Sequence, residues 1–190
     1  MASQRRILLL SSSSVHGSGY LDYCADTIKS FLGAAVGTVI FVPYASADHD
    51  GYAEAAREKF ATMGYDLVSI HEVQSKEKAI GEAQAFFIGG GNTFRLLSTL
   101  YDYNLLSLIR EKVAAGMPYI GASAGSNVAC CTIKTTNDMP IVYPRSFDAL
   151  NLVPFNVNPH YLDPDPSSTH KGETREERIK IGRASCRERV

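Results

Sequence analysis

Ser123 is the residue of this chain whose setting most directly suggests chemistry. It lies in Gly121-Ala122-Ser123-Ala124-Gly125, after the apolar run Pro118-Tyr119-Ile120. Gly-x-Ser-x-Gly closing a strand predicts a sharp turn, because the glycines tolerate the close backbone contacts that lift the serine side chain out of a sheet. A helix opening at Ala124 would place unpaired N–H groups beside the serine oxygen, where an oxyanion formed in acyl transfer could rest. A strand-to-helix turn with a capping serine accounts for the same five residues without any chemistry.

A second turn, Gly89-Gly90-Gly91-Asn92-Thr93-Phe94, also follows an apolar run and precedes a helical pattern. Consecutive glycines expose backbone N–H groups, as an anion cradle or the second half of an oxyanion hole requires. A nucleotide-phosphate reading is weaker. Phe94 stands where the third glycine of Gly-x-Gly-x-x-Gly would be, and no Gly-Lys-Ser/Thr ending follows.

A serine hydroxyl needs a base, and histidine is the usual one. His16 and His49 lie in polar stretches and His71 ends a strand pattern, so all three read as surface residues. His160 follows residues 153–157, which read as a late strand, and His170 is the runner-up in the next loop. Asp138 lies between Ser123 and His160 and would complete the order Ser, Asp, His. An Asx turn before Pro140 explains it equally well. In the charged stretch 170–178, Arg175 could grip a carboxylate with two parallel bonds. Glu176 and Lys180 read instead as an i,i+4 pair on a solvated helix face.

The elements that must position these residues alternate regularly. Apolar strands at 7–10, 38–42, 67–70, 85–88 and 118–122 are separated by helical patterns at 20–32, 52–63, 76–83, 93–100 and 105–115. Continuous apolar strands between amphipathic helices predict an α/β fold, a mostly parallel sheet with helices on both faces. Such sheets bind ligands beyond the carboxyl ends of their strands, where both glycine turns fall.

Composition narrows the partners. With 190 residues, 45% of them apolar, the chain can bury one good core. A formal charge of −1 implies no face for nucleic acid or an anionic membrane, so the expected partner is a small molecule, and composition leaves the oligomeric state open. The four cysteines lack C-x-x-C spacing, and Ile7-Leu8-Leu9-Leu10 is too short for a signal-peptide core or a membrane span. A cytoplasmic location is expected.

Taken together, the two glycine turns, residues 135–142, Asn158-Pro159-His160 and residues 170–175 resemble peptidase E, the α-aspartyl dipeptidase family. The likeness runs from about Ile7 to Lys180. It implies an α/β enzyme resembling the class I glutamine amidotransferase-like architecture, which cleaves Asp-Xaa dipeptides without metal or organic cofactor. By the same resemblance Ser123 matches the nucleophile, His160 the base and Asp138 an aspartate implicated beside them. Arg175 matches the arginine that holds the aspartyl side chain, with Asn92 beside the substrate. The N–H groups of Gly90 or Gly91 and of Ala124 would form the oxyanion hole. A cysteine nucleophile would signal an amidotransferase-like hydrolase, but the turn carries serine. A non-catalytic module that binds an acidic small molecule remains the alternative.

The resemblance also places a glutamate partner for the histidine in a Pro-Glu-Gly segment that has no match here. Residues 181–190 resemble a translated sequencing adapter. The expectation is therefore one peptidase domain over 1–180, incomplete at its C-terminus, with 181–190 a non-native tail. Loss of the third triad member would lower activity by up to about 10⁴.

Overall fold

The computed structural model of the chain describes residues 4–161, 176, 177, 179 and 180. Two compact units divide the chain, Met1–Pro159 and His160–Val190. The first unit holds a five-stranded parallel sheet: β1 (Ile7–Leu10), β2 (Thr38–Val42), β3 (Asp66–Ser69), β4 (Ala85–Ile88) and β5 (Tyr119–Ala122), in the order β1-β5-β4-β2-β3. Registers such as Leu10 with Ala122, Ile88 with Gly121 and Val42 with Ile88 bring the strand ends to one rim.

Between the strands run α1 (Ala25–Leu32), α2 (His49–Thr62), α3 (Lys76–Glu82), α4 (Thr93–Asp102) and α5 (Leu105–Ala114), and α6 (Ala124–Ala129) follows β5. Successive strand side chains point to opposite faces. In β4, Phe86 and Ile88 join the core under α4, α5 and α6, while Ala85 and Phe87 join the core under α1 and α2. Both faces are covered. That is why β4 and β5 are buried at every residue and read as unbroken apolar runs.

Three sequence expectations need correction. Residues 20–24 are not part of a continuous helix: Leu21 is left-handed (φ 56°), its N–H is taken by the Ser13 carbonyl at 2.7 Å, and a 3₁₀ turn precedes α1. Helix α2 starts before residue 52, because Asp48 caps it by accepting the Gly51 N–H at 2.9 Å. Residues 153–157 form no strand. Pro154 has no N–H to give a ladder, and neighbouring groups bond to the 129–135 segment instead. Cys131 donates to the Val153 carbonyl, Thr132 N–H to Asn156 Oδ1 at 3.1 Å, and Thr135 Oγ1 to the Val157 carbonyl at 2.5 Å. Val157, Asn158 and Pro159 nonetheless line a pocket with Leu10 and Ser11 at the end of β1, so this segment reaches the rim without being a strand.

Candidate active site

Ser123 sits between β5 and α6 with φ 51° and ψ −105°. Its N–H donates to the Leu10 carbonyl at 2.9 Å, carrying the β1 pairing one residue past Ala122. Its carbonyl accepts the N–H groups of Ser126 (2.9 Å) and Asn127 (3.0 Å), which opens the helix. Strand pairing before and helix bonding after force positive φ on a residue with a Cβ, a conformation that costs about 1–3 kcal/mol and persists only where the surroundings over-determine it.

The flanking glycines are dictated by space. A Cβ on Gly121 would stand 2.5 Å from the Gly125 carbonyl oxygen, and one on Gly125 would overlap the Ile88 carbonyl of β4. Buried bonds then lock the turn: Tyr119 Oη donates to the Gly125 carbonyl at 2.7 Å, and Ser126 Oγ lies 2.7 Å from the carbonyls of both Leu10 and Gly121.

The second glycine turn packs against the first. A Cβ on Gly90 would lie 3.2 Å from the Ser123 Cβ, while one on Gly91, at φ 133°, would overlap the Ala45 carbonyl. The Gly90 N–H donates to Tyr52 Oη at 2.8 Å. Among the described residues, the N–H groups of Gly91 and Ala124 have no hydrogen-bond acceptor. Of the two glycine N–H groups considered from sequence, the structure thus commits one to a tyrosine. Asn92 uses both ends of its amide structurally: Oδ1 accepts the Arg95 N–H at 3.0 Å, capping α4, and Nδ2 donates to the Met139 carbonyl at 2.8 Å.

Asp138 also lies at the start of α4. Its Oδ2 accepts from the Thr93 N–H (2.8 Å), Thr93 Oγ1 (2.5 Å) and Thr136 Oγ1 (3.0 Å). Asn127 Nδ2 reaches Thr93 Oγ1 at 3.3 Å, so the cluster links the loop through α4 to the helix behind Ser123. An acidic oxygen on an unpaired helix N–H is favourable. Asp138→Ala is therefore expected to lower stability by about 2 kcal/mol, read as a lower urea midpoint at unchanged slope. Neither Thr93 nor Thr136 carries a sequence signal for this role.

His160 is exposed, left-handed at φ 60°, and belongs to the second unit. Arg175 and His170 lie outside the described residues. Glu176 and Lys180 pair at 2.6 Å, as their spacing predicts. His71 bonds to Ser69 Oγ (2.7 Å) and Asp50 (2.9 Å), with its ring 5.5 Å from that of His49. Asp50, His71 and Glu72 are the group among the described residues with the spacing of metal ligands, yet both Glu72 oxygens are held by Arg57 at 2.8 and 3.0 Å. No helix of the described residues is long and apolar enough to cross a membrane.

A parallel α/β sheet whose rim carries a strained serine between a strand and a helix defines a nucleophile-turn hydrolase architecture. The profile of peptidase family S51 matches residues 7–183, and the chain belongs to that family. It is 55% identical over 181 residues to a "Probable alpha-aspartyl dipeptidase" of Drosophila melanogaster, covering 94% of this chain and 75% of that relative. It is 54% identical over 174 residues to a peptidase E of Streptomyces coelicolor, covering 92% of this chain and 71% of that one. The crystal structure of a candidate peptidase E protein from Listeria monocytogenes EGD-e superposes with a TM-score of 0.65 at 28% identity, covering 80% of this chain and 77% of that one. The chain is a serine-type peptidase, with a small peptide as its class of substrate.

Proposed function

We propose that this peptidase hydrolyses dipeptides with an N-terminal aspartate, Asp-Xaa, through an acyl-enzyme on Ser123. The observation that carries the reading is the Ser123 backbone, held at φ 51° between β5 and α6, with the glycine turn packed against its Cβ. Strain of this kind at a polar residue points to function more than to stability. The Drosophila relative, by its name, acts on α-aspartyl dipeptides.

In this reading His160 takes the Ser123 proton as Oγ attacks the scissile carbonyl carbon. The oxyanion rests on the Gly91 and Ala124 N–H groups, and His160 then protonates the leaving amine. Water, activated by the same histidine, releases aspartate. Asp138 serves the site by holding α4 through Thr93 and Thr136. Arg175 grips the aspartyl carboxylate, because a guanidinium matches a carboxylate in both charge and geometry.

Purified protein incubated with Asp-Leu, Glu-Leu and Ala-Leu tests the reading, with Ser123→Ala as control. Cleavage of Asp-Leu that the control lacks is expected; equal turnover by both proteins sinks it. Arg175→Met is expected to lower kcat/KM on Asp-Leu by about 10²-fold or more, the cost of leaving a carboxylate without its partner. Residual activity on Ala-Leu should stay within a few-fold. Equal losses on the two dipeptides would remove Arg175 from the specificity site.

A further inference from the structure

We propose that Tyr52 is a positioning residue of the oxyanion site: its hydroxyl holds the Gly90 N–H and thereby directs the neighbouring Gly91 N–H toward the substrate carbonyl attacked by Ser123. The proposal rests on the reading of Ser123 as nucleophile.

Glycines have little intrinsic backbone preference, so a run of three cannot hold one N–H in a productive direction unless it is anchored on both sides. The anchors are present. Upstream of Gly91, the Gly90 N–H donates to Tyr52 Oη at 2.8 Å. Downstream, the Asn92 N–H donates to the Ala45 carbonyl at 2.8 Å. The peptide between them carries the Gly91 N–H, which has no acceptor among the described residues, and Gly90 lies against the Ser123 Cβ.

Tyr52 is itself fixed. Its ring meets Phe41 edge to face at 5.0 Å and Tyr20 at 6.0 Å, a geometry that favours one ring orientation. Gly89 leaves room for the hydroxyl, since a Cβ there would lie 2.5 Å from it. Burial raises the Tyr52 phenol above its ordinary range, with the Tyr20 hydroxyl and the Gly90 N–H opposing, so the group remains a neutral phenol and a steady acceptor.

Tyr52→Phe removes the oxygen and keeps the ring. Losing an oxyanion donor outright costs about 10²–10³ in kcat, so a donor left loosely aimed is expected to cost about 10- to 100-fold in kcat on Asp-Leu, with KM within about twofold. The aldehyde of aspartate, 3-amino-4-oxobutanoate, whose carbonyl carbon stands at the scissile position and accepts the Ser123 Oγ, should bind weaker by the same factor, while 3-aminobutanoate, which lacks that carbonyl, binds unchanged. Gly89→Ala, which pushes the hydroxyl away from the opposite side, should give the same split and decides the matter if Tyr52→Phe does not fold. A lower melting temperature with wild-type kcat and aldehyde affinity would overturn the proposal. Ser123→Ala separates the two readings. If that variant still cleaves Asp-Leu at the wild-type rate, the serine reading fails and this one with it; if it is inactive while Tyr52→Phe is fully active, only the role of Tyr52 falls.

Discussion

Ser123→Ala is expected to lower kcat on Asp-Leu by on the order of 10⁴- to 10⁶-fold, the loss seen when the nucleophile of a unit that acts together is removed. The fold should be untouched, because alanine accepts or resists the left-handed backbone about as serine does, and the bonds that impose it run through the main chain to Leu10, Ser126 and Asn127. Ser123→Gly sharpens the test. It should be equally inactive but no less stable than Ser123→Ala, since the φ of 51° costs glycine nothing. Turnover assays with equilibrium unfolding of both variants separate the two effects. A large loss of stability in Ser123→Ala would mean that the side chain holds the turn together and would remove the argument from strain.

Gly125→Ala is expected to destabilise the protein by about 3–5 kcal/mol, although helix propensity alone predicts a gain of about 1 kcal/mol for the same change inside α6. Geometry reverses the sign. The added Cβ would overlap the Ile88 carbonyl, which is backbone of a central strand and cannot swing aside as a side-chain tip could. Moving α6 outward would strip the 2.7 Å bond from Tyr119 Oη and separate Ser123 from the glycine turn. Soluble yield and the urea midpoint read the outcome, and a variant as stable as the wild type would refute the packing argument. Gly81→Ala is the natural control: a Cβ at Gly81 in α3 meets nothing within 4 Å, so there the propensity gain should appear.

Periodicity made much of the scaffold legible. Strands β1, β2 and β4 begin and end where the apolar runs do, because side chains of both strand faces pack into the two cores and the run stops where that packing stops. The same signal failed at residues 153–157, where apolar types alternate but Phe155 is 53% exposed and the backbone bonds go to the 129–135 segment. Pattern records side-chain chemistry, whereas a strand also needs a free partner edge and N–H groups to meet it. The first turn of the 20–32 run failed for a related reason, since the Leu21 N–H is claimed by Ser13.

The candidate site divides along the same line. The turn around Ser123 was legible from spacing, since two glycines flanking a serine between an apolar run and a helical pattern mark a sharp strand-to-helix turn. The contacts that exclude a Cβ at Gly125 and pair the Ser123 N–H nonetheless come from β4 and β1. Tertiary structure decided what surrounds that turn. Asp138, placed from sequence between an Asx turn and a triad, proves to clasp Thr93 and Thr136 at the head of α4. Gly90, one of two equivalent glycines in the sequence, has its N–H taken by Tyr52, 38 residues earlier in the chain. Neither assignment could be read from spacing. A hydrogen bond between residues far apart in sequence is fixed by how strands β2, β4 and β5 are ordered and how their helices lie over them, and that order exists only once the sheet has formed.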